Sequence, residues 1–219
     1  MASTPQHLPA FAILCAGASS RLGQPKALCD LPGGRPLLRL LGAAHGTARS
    51  SPKLSNVQVV VVTGCHHLEI EAVLEAAGQN TPGLVAQNMD WTTGRTSSIQ
   101  LAVRTFPDRD LMLMPVDHPR ITAAILDAMI EAWHKADSPA MGWLAPFHEA
   151  EPGQKAFGHP ILLGRGLGTR ILDLSPHEPL RALRATAEPL LAVSVTSAVI
   201  LENLDTPAAL LEIREADRL

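Results

Sequence analysis

Three short runs constrain this chain most: Phe11–Cys15, Val57–Val62 and Leu111–Val116 are apolar almost throughout instead of alternating. A strand with one wet face reads apolar on every second residue, so an unbroken apolar run implies a strand covered on both faces. Helical stretches separate these runs. Pro36–Ala44 starts with Pro at its first turn. Leu68–Ala77 sets Glu69, Glu71 and Glu75 outward with Leu68, Val73 and Leu74 inward, and Ser97–Arg104 and Thr122–Lys135 follow. Leu84–Gln87 is a further short strand. This alternation predicts an α/β chain, a three-layer αβα, Rossmann-like arrangement with a mainly parallel (mixed) sheet. With no repeat and no linker, residues 1–219 are expected to form a single domain.

The second half is less regular. Ala140–Pro146 and Pro160–Leu163 are expected strands, His148–Phe157 a polar loop able to act as a lid, and Glu178–Ala187 a helix. Leu190–Val195 with Val199–Leu201 is expected to form a β-ribbon. Asp205-Thr206-Pro207 opens a last helix to Ala216, with Thr206 as N-cap and Pro207 at the first position.

Composition narrows the function. A net charge of -3 and the absence of Tyr argue against nucleic acid as partner. Three separated cysteines fit reduced thiols and a cytoplasmic setting. The start of the chain lacks a basic leader region, and Leu14 before Cys15 is too large for lipoprotein-type cleavage. No apolar run is long enough to span a membrane.

Leu14 to Lys26 carries the chemistry. Small residues follow the first strand with one Arg and one Lys among them. Exposed backbone N–H groups free of bulky side chains, together with two formal positive charges, suit a polyphosphate. A Walker loop does not fit, because Gly17 and Gly23 are separated by five residues and Lys26 lies three further on. The dinucleotide fingerprint G-x-G-x-x-G is absent, which sets aside an oxidoreductase. The pattern L-x-A-G-x-S-x-R-x-G-x-P-K resembles the signature loop of the MobA-like NTP transferases, most of all their molybdenum-cofactor cytidylyltransferase subgroup, with Cys15 where Ala is usual. The resemblance runs from about Phe11 to about Leu210 and implies a fold of the nucleotide-diphospho-sugar transferase type.

Other segments carry chemistry beside that loop. Asp117-His118-Pro119 ends the strand Leu111–Val116, where ligands of open α/β sheets bind, and a carboxylate there could hold Mg2+ against phosphates or merely cap a turn. The resemblance matches Asp117 to a metal-binding Asp. Asp205 is a second metal candidate, although Asn203 stands where the family often has another Asp, and Asp-Thr-Pro is also a plain helix opening. Asn88 to Ser98 resembles the N-x-x-W-x-x-G-x-x-S-S segment of nucleotide recognition. Gly158-His159-Pro160 resembles an acceptor-side segment, and Val62-Thr63-Gly64 resembles a V-T-G of the same subgroup. Cys65-His66-His67 lacks a second ligand pair and is not read as a zinc site. The Trp residues are expected to pack, and His45, His134, His148 and His177 to lie on the surface or in loops.

Arg21, Lys26 and Asp117 are therefore the expected catalytic residues, with Asp117 and Asp205 on Mg2+. Leu14, Ala16, Gly17, Ser19, Ser20, Asn88, Gly94, Ser97, Ser98 and His159 are expected around nucleotide and acceptor. The Ala16 methyl narrows the base site and favours CTP over a purine nucleotide. By resemblance the acceptor is a molybdopterin-type molybdenum cofactor. The alternatives are a sugar-phosphate or other small-molecule nucleotidyltransferase, or a nucleotide-binding module without turnover.

Overall fold

The structure, a computed structural model, describes residues 7–50, 57–78 and 83–218. The expected 1–219 domain also takes in 1–6, 51–56, 79–82 and 219, which lie outside the described residues. The strands are β1 (Ala10–Cys15), β2 (Val59–Thr63), β3 (Leu84–Gln87), β4 (Leu111–Pro115), β5 (Trp143–Glu149), β6 (Lys155–Phe157), β7 (Ile161–Leu163) and β8 (Leu190–Ser194). The α-helices are α1 (Pro36–Ser50), α2 (His67–Ala76), α3 (Arg95–Thr105), α4 (Ala123–Lys135), α5 (Arg165–Ile171) and α6 (Pro207–Ala216).

Strands β3, β2, β1 and β4 run parallel in that order. Beyond β4 the sheet becomes mixed. β7 lies antiparallel between β4 and β5, and β8 runs parallel to β5. β6 continues along the same edge of β5 as β7, pairing Phe147 with Phe157. The break between β6 and β7 falls at Gly158, where a Cβ would sit 2.1 Å from the Ile200 carbonyl oxygen.

The apolar runs are covered on both faces, as their composition demands. Phe11, Ile13, Val59, Val61, Met112 and Met114 face α1 and α4, against Leu37, Leu40, Leu41, Leu126 and Trp133. The alternate residues Ala10, Ala12, Val60, Val62, Leu111 and Leu113 face α3 and α5, against Ile99, Val103, Leu167 and Ile171. Helices on both sides of a mainly parallel sheet give the three-layer α/β fold. A third, smaller apolar cluster joins Leu22, Cys29 and Leu31, downstream of β1, to Leu204, Leu210 and Ile213.

Several local expectations need correction. Val199–Leu201 lies within a 3-10 turn (Ala198–Leu201), so β8 forms no ribbon with it and pairs with β5 instead. His148–Phe157 is a β-hairpin, and Glu178–Ala187 folds mostly into 3-10 turns (Leu180–Thr186). α5 was not foreseen, because its Gly-interrupted sequence Arg165-Gly166-Leu167-Gly168 argues against a helix in isolation. On α2 the buried residue is Ile70, while Leu68 is 74% exposed, because residues at i, i+3 and i+4 from Ile70 share its face. Thr122 and Thr206 do cap their helices, accepting from Ile125 N and Ala209 N.

Candidate active site

After β1 the chain turns back on itself. Ser19 takes a left-handed backbone (φ 54°), as does Gly23 (φ 76°), and Ser19 O accepts from both Leu22 N and Gly23 N. Ser19 Oγ accepts from Lys26 N at 3.1 Å, which fixes the start of the short helical turn carrying Lys26. The Lys26 ammonium pairs with Asp205 Oδ1 and lies 3.6 Å from Asp117 Oδ2. Arg21 donates to Asp205 Oδ2 at 2.8 Å. Asp205 reaches this place because the third cluster buries Leu204 beside Leu22, and because Leu204 N donates to Asp117 O at 2.7 Å. Burial alone would raise the Asp205 pKa, but Lys26 and Arg21 outweigh it and hold the carboxyl below the usual range.

These groups border a cavity of about 210 Å³ at the carboxyl ends of β1 and β4. Leu14, Ala16, Gly17, Ser19, Lys26, Gly94, Ser98 and Asp117, all expected from the sequence, line it. Arg21 and Asp205 join through the ion pairs. Four other expected residues do not line it: Asn88, Ser97, Ser20 and His159. Asn88 is buried behind, donating to Ser97 Oγ at 2.8 Å and Ser98 Oγ at 2.9 Å, so it braces the wall. Ser97 Oγ is turned to Gly94 O at 2.7 Å. Ser20 is exposed on the outside of the loop. Among the lining residues that were not expected, His66, Trp91 and Arg95 bring polar or aromatic side chains. Trp91 therefore does more than pack, and the wall depends on Gly64, where a Cβ would lie 2.5 Å from Ala16 O and 2.7 Å from Trp91 Cβ.

His159 instead lines a second cavity of about 510 Å³, which shares Leu14, Arg95 and Pro115 with the first. Its ring lies 4.5 Å from that of His118, centroid to centroid. Burial, with help from His118, pushes the His159 pKa down to about 4. Burial lowers that of His118 too, against the pull of Asp117. Both imidazoles are therefore neutral at pH 7. His66 and His67 point apart: His66 Nε2 meets Ala18 O, while His67 Nδ1 meets Thr63 Oγ1.

The donor set suits a hard divalent cation. Asp117 Oδ1 is buried with no hydrogen-bond partner, and Asp205 is the second carboxylate on the same lysine. Among the described residues no group of three or more His, Cys, Asp or Glu could hold a metal ion. Two carboxylates completed by phosphate oxygens and water is the arrangement Mg2+ accepts, whereas zinc would need more protein ligands.

The MobA-like NTP transferase domain family matches residues 11–191. The chain belongs to this family. Asp205 lies beyond the matched region, so the family match alone would not place it beside Lys26. No curated protein matches the sequence significantly. Solved structures share the fold. Mycobacterium tuberculosis Rv0371C in complex with manganese is 20% identical and covers 96% of this chain and 98% of its own, with a TM-score of 0.67. A nucleotidyl transferase from Methanothermobacter is 20% identical over 98% and 99%, with a TM-score of 0.73. A CMP:2-keto-3-deoxy-manno-octonic acid synthetase complexed with CTP is 16% identical over 96% and 99%, with a TM-score of 0.72. Among the described residues no helix is long and apolar enough to cross a membrane.

Proposed function

We propose that this MobA-like NTP transferase moves CMP from CTP onto a phosphate-bearing acceptor of the molybdopterin type, in one domain and with Mg2+. The observation that carries this is the Lys26 ammonium set between Asp117 and Asp205 at the edge of the loop cavity. A binding module needs cations for phosphate but has no use for two carboxylates that repel it.

In the reaction an oxygen of the acceptor phosphate bonds to the α-phosphorus, and the bond to the β-phosphate oxygen breaks with its electron pair leaving on pyrophosphate. The attacking phosphate is already ionised at neutral pH, so no general base is required, and the buried His159, its pKa pushed down to about 4, is a weak base. Catalysis then rests on alignment and charge neutralisation. Loop amides around Gly17 bind phosphate oxygens, and Arg21 and Lys26 offset the charge that builds on the leaving pyrophosphate. Asp117 and Asp205 would hold Mg2+, which supplies Lewis-acid neutralisation at the phosphates. Ala16 and Trp91 bound the 210 Å³ cavity closely, which supports a pyrimidine base. The structural neighbours that carry CTP and manganese in their names support the nucleotide and a divalent ion in the same way.

The test is pyrophosphate release with Mg2+ and purified molybdenum cofactor across CTP, GTP, UTP and ATP. CTP should be fastest. Equal release with UTP and a sugar 1-phosphate would refute the cofactor assignment, and no release with any pair would leave only a binding role.

A further inference from the structure

We infer that Arg120 is a positioning residue for the paired carboxylates, clamping the turn that carries Asp117 to the segment that carries Asp205. The inference rests on the nucleotidyl-transfer reading and deepens it, since it concerns how that site keeps the geometry a divalent ion needs. Asp117 and Asp205 come from segments far apart in sequence, and a backbone bond and a side-chain bond join those segments. Leu204 N donates to Asp117 O at 2.7 Å. Arg120 Nη1 donates to Glu202 Oε1 at 2.8 Å. Arg120 stands three residues after Asp117, and Glu202 three residues before Asp205. One bond between two chains works as a pivot. A second bond, set off along both chains, fixes the angle between them and with it the separation of the two carboxylates.

Arg120 is itself held from behind. Its Nε lies 3.1 Å from Asp217 Oδ1, and Asp217, which caps the end of α6, also pairs with Arg39 of α1. The Asp217 side chain is only 7% exposed between these two guanidinium groups. Arg39 and Arg120 thus balance Asp217 and Glu202 in charge. Arg120 lines neither cavity, so it does not touch what binds there. A buried ion pair returns little stability over an apolar pair, because both charges give up water. What the pairs supply here is a fixed geometry. Loss of the Arg120 guanidinium would leave Glu202 without its cation, and Glu202 Oε2 is already buried with no hydrogen-bond partner among the described residues. Such a carboxylate moves toward water, and the 202–205 segment moves with it. Lys26 and Arg21 would still bind phosphates, but Asp205 would no longer meet the metal beside Asp117.

Calorimetry of CTP binding with Mg2+ and again in EDTA tests this, alongside the Mg2+ dependence of pyrophosphate release. Wild type should bind CTP more tightly with Mg2+ than in EDTA. Arg120→Met keeps the length of the side chain but not its charge. It should cut the gain from Mg2+ and raise the Mg2+ concentration for half-maximal rate, each roughly tenfold. CTP affinity in EDTA should not fall, and Arg120→Lys should recover part of the loss. Glu202→Ala removes the other half of the clamp and should act in the same direction, so the test stands even if Arg120→Met does not fold. In an Asp205→Asn background Arg120→Met should add less than about twofold to the Mg2+ requirement, because Arg120 acts through Asp205. Equal weakening of CTP with Mg2+ and in EDTA, or full additivity with Asp205→Asn, would reduce Arg120 to a support of the fold and overturn the inference. A gain from Mg2+ that Arg120→Met and Glu202→Ala both leave intact defeats this inference alone. A wild type that binds no CTP, or binds it without regard to Mg2+, defeats the nucleotidyl-transfer reading beneath it.

Discussion

Lys26 Nζ lies 3.6 Å from Asp117 Oδ2, and Asp205 pairs with the same ammonium, so an amine from the first loop is shared by the carboxylates of two distant segments. In this state Asp205 offers Lys26 and Arg21 the negative charge that a triphosphate would bring. On the proposed reading a triphosphate would take over Lys26 and Arg21, and Asp117 and Asp205 would be released to hold the metal.

Lys26→Ala and Asp117→Ala are each expected to lower turnover by roughly 100-fold or more, the scale of removing one preorganised charge from a transition state. Pyrophosphate release checks this, with circular dichroism to show that each variant is folded. Turnover within threefold of wild type would remove that residue from the mechanism.

Asp205→Asn keeps the shape of the side chain but loses its charge. The Mg2+ concentration for half-maximal rate should rise roughly tenfold or more. Nucleotide affinity measured without metal should rise as well, because Lys26 and Arg21 are freed. An unchanged Mg2+ requirement would reduce Asp205 to a helix-opening residue.

Stability should depend on pH through His159. Its folded pKa of about 4 lies below the ordinary 6.5, so below 6.5 the unfolded chain binds the extra proton. Unfolding free energy is thus level above about pH 7 and falls as the pH drops from 6.5 toward 4, by on the order of 3 kcal/mol for this group. His118 shifts in the same direction and adds to the slope. Urea titrations at pH 7.5, 6 and 5 measure it, and His159→Gln should flatten the curve.

Gly64→Ala should damage the cavity wall that Ala16 and Trp91 form. The new methyl overlaps Ala16 O and Trp91 Cβ, which cannot both withdraw. A cost of about 1–3 kcal/mol is expected, read as a lower melting temperature together with weaker CTP binding.

Thiol labelling offers a simple check on the packing. Cys65 is exposed, whereas Cys15 and Cys29 are buried, and burial raises both of their pKa values. A disulfide reagent should modify one thiol in the native protein and three after denaturation.

The parallel half of the fold and the place of the loop after β1 at a cavity are legible in the sequence because their signals are local. β1, β2 and β4 announce double burial by composition, and the residues of the loop stand next to one another in the chain. What escaped depends on where distant segments meet. Arg95 reads as an ordinary helix-start residue until two cavities are found on either side of it. Asn88 has the composition of a ligand contact, yet its amide is spent on Ser97 and Ser98. The spacing of Asn203 and Asp205 does not say which one turns inward; in the fold Asn203 is exposed and Asp205 meets Arg21 and Lys26. The 3-10 turn at Ala198–Leu201 follows from the same cause, since its Ile200 carbonyl is committed to His159 N and not to a strand partner.

The small cluster of Leu22, Cys29 and Leu31 with Leu210 and Ile213 makes α6 a buttress for the loop after β1. Any opening that peels this helix away also withdraws Asp205 from Lys26, so nucleotide and Mg2+ bound together, with Asp205 on the metal, would raise the free energy of that opening. Amide exchange along α6 should therefore slow when nucleotide and Mg2+ are added together, and not with nucleotide alone.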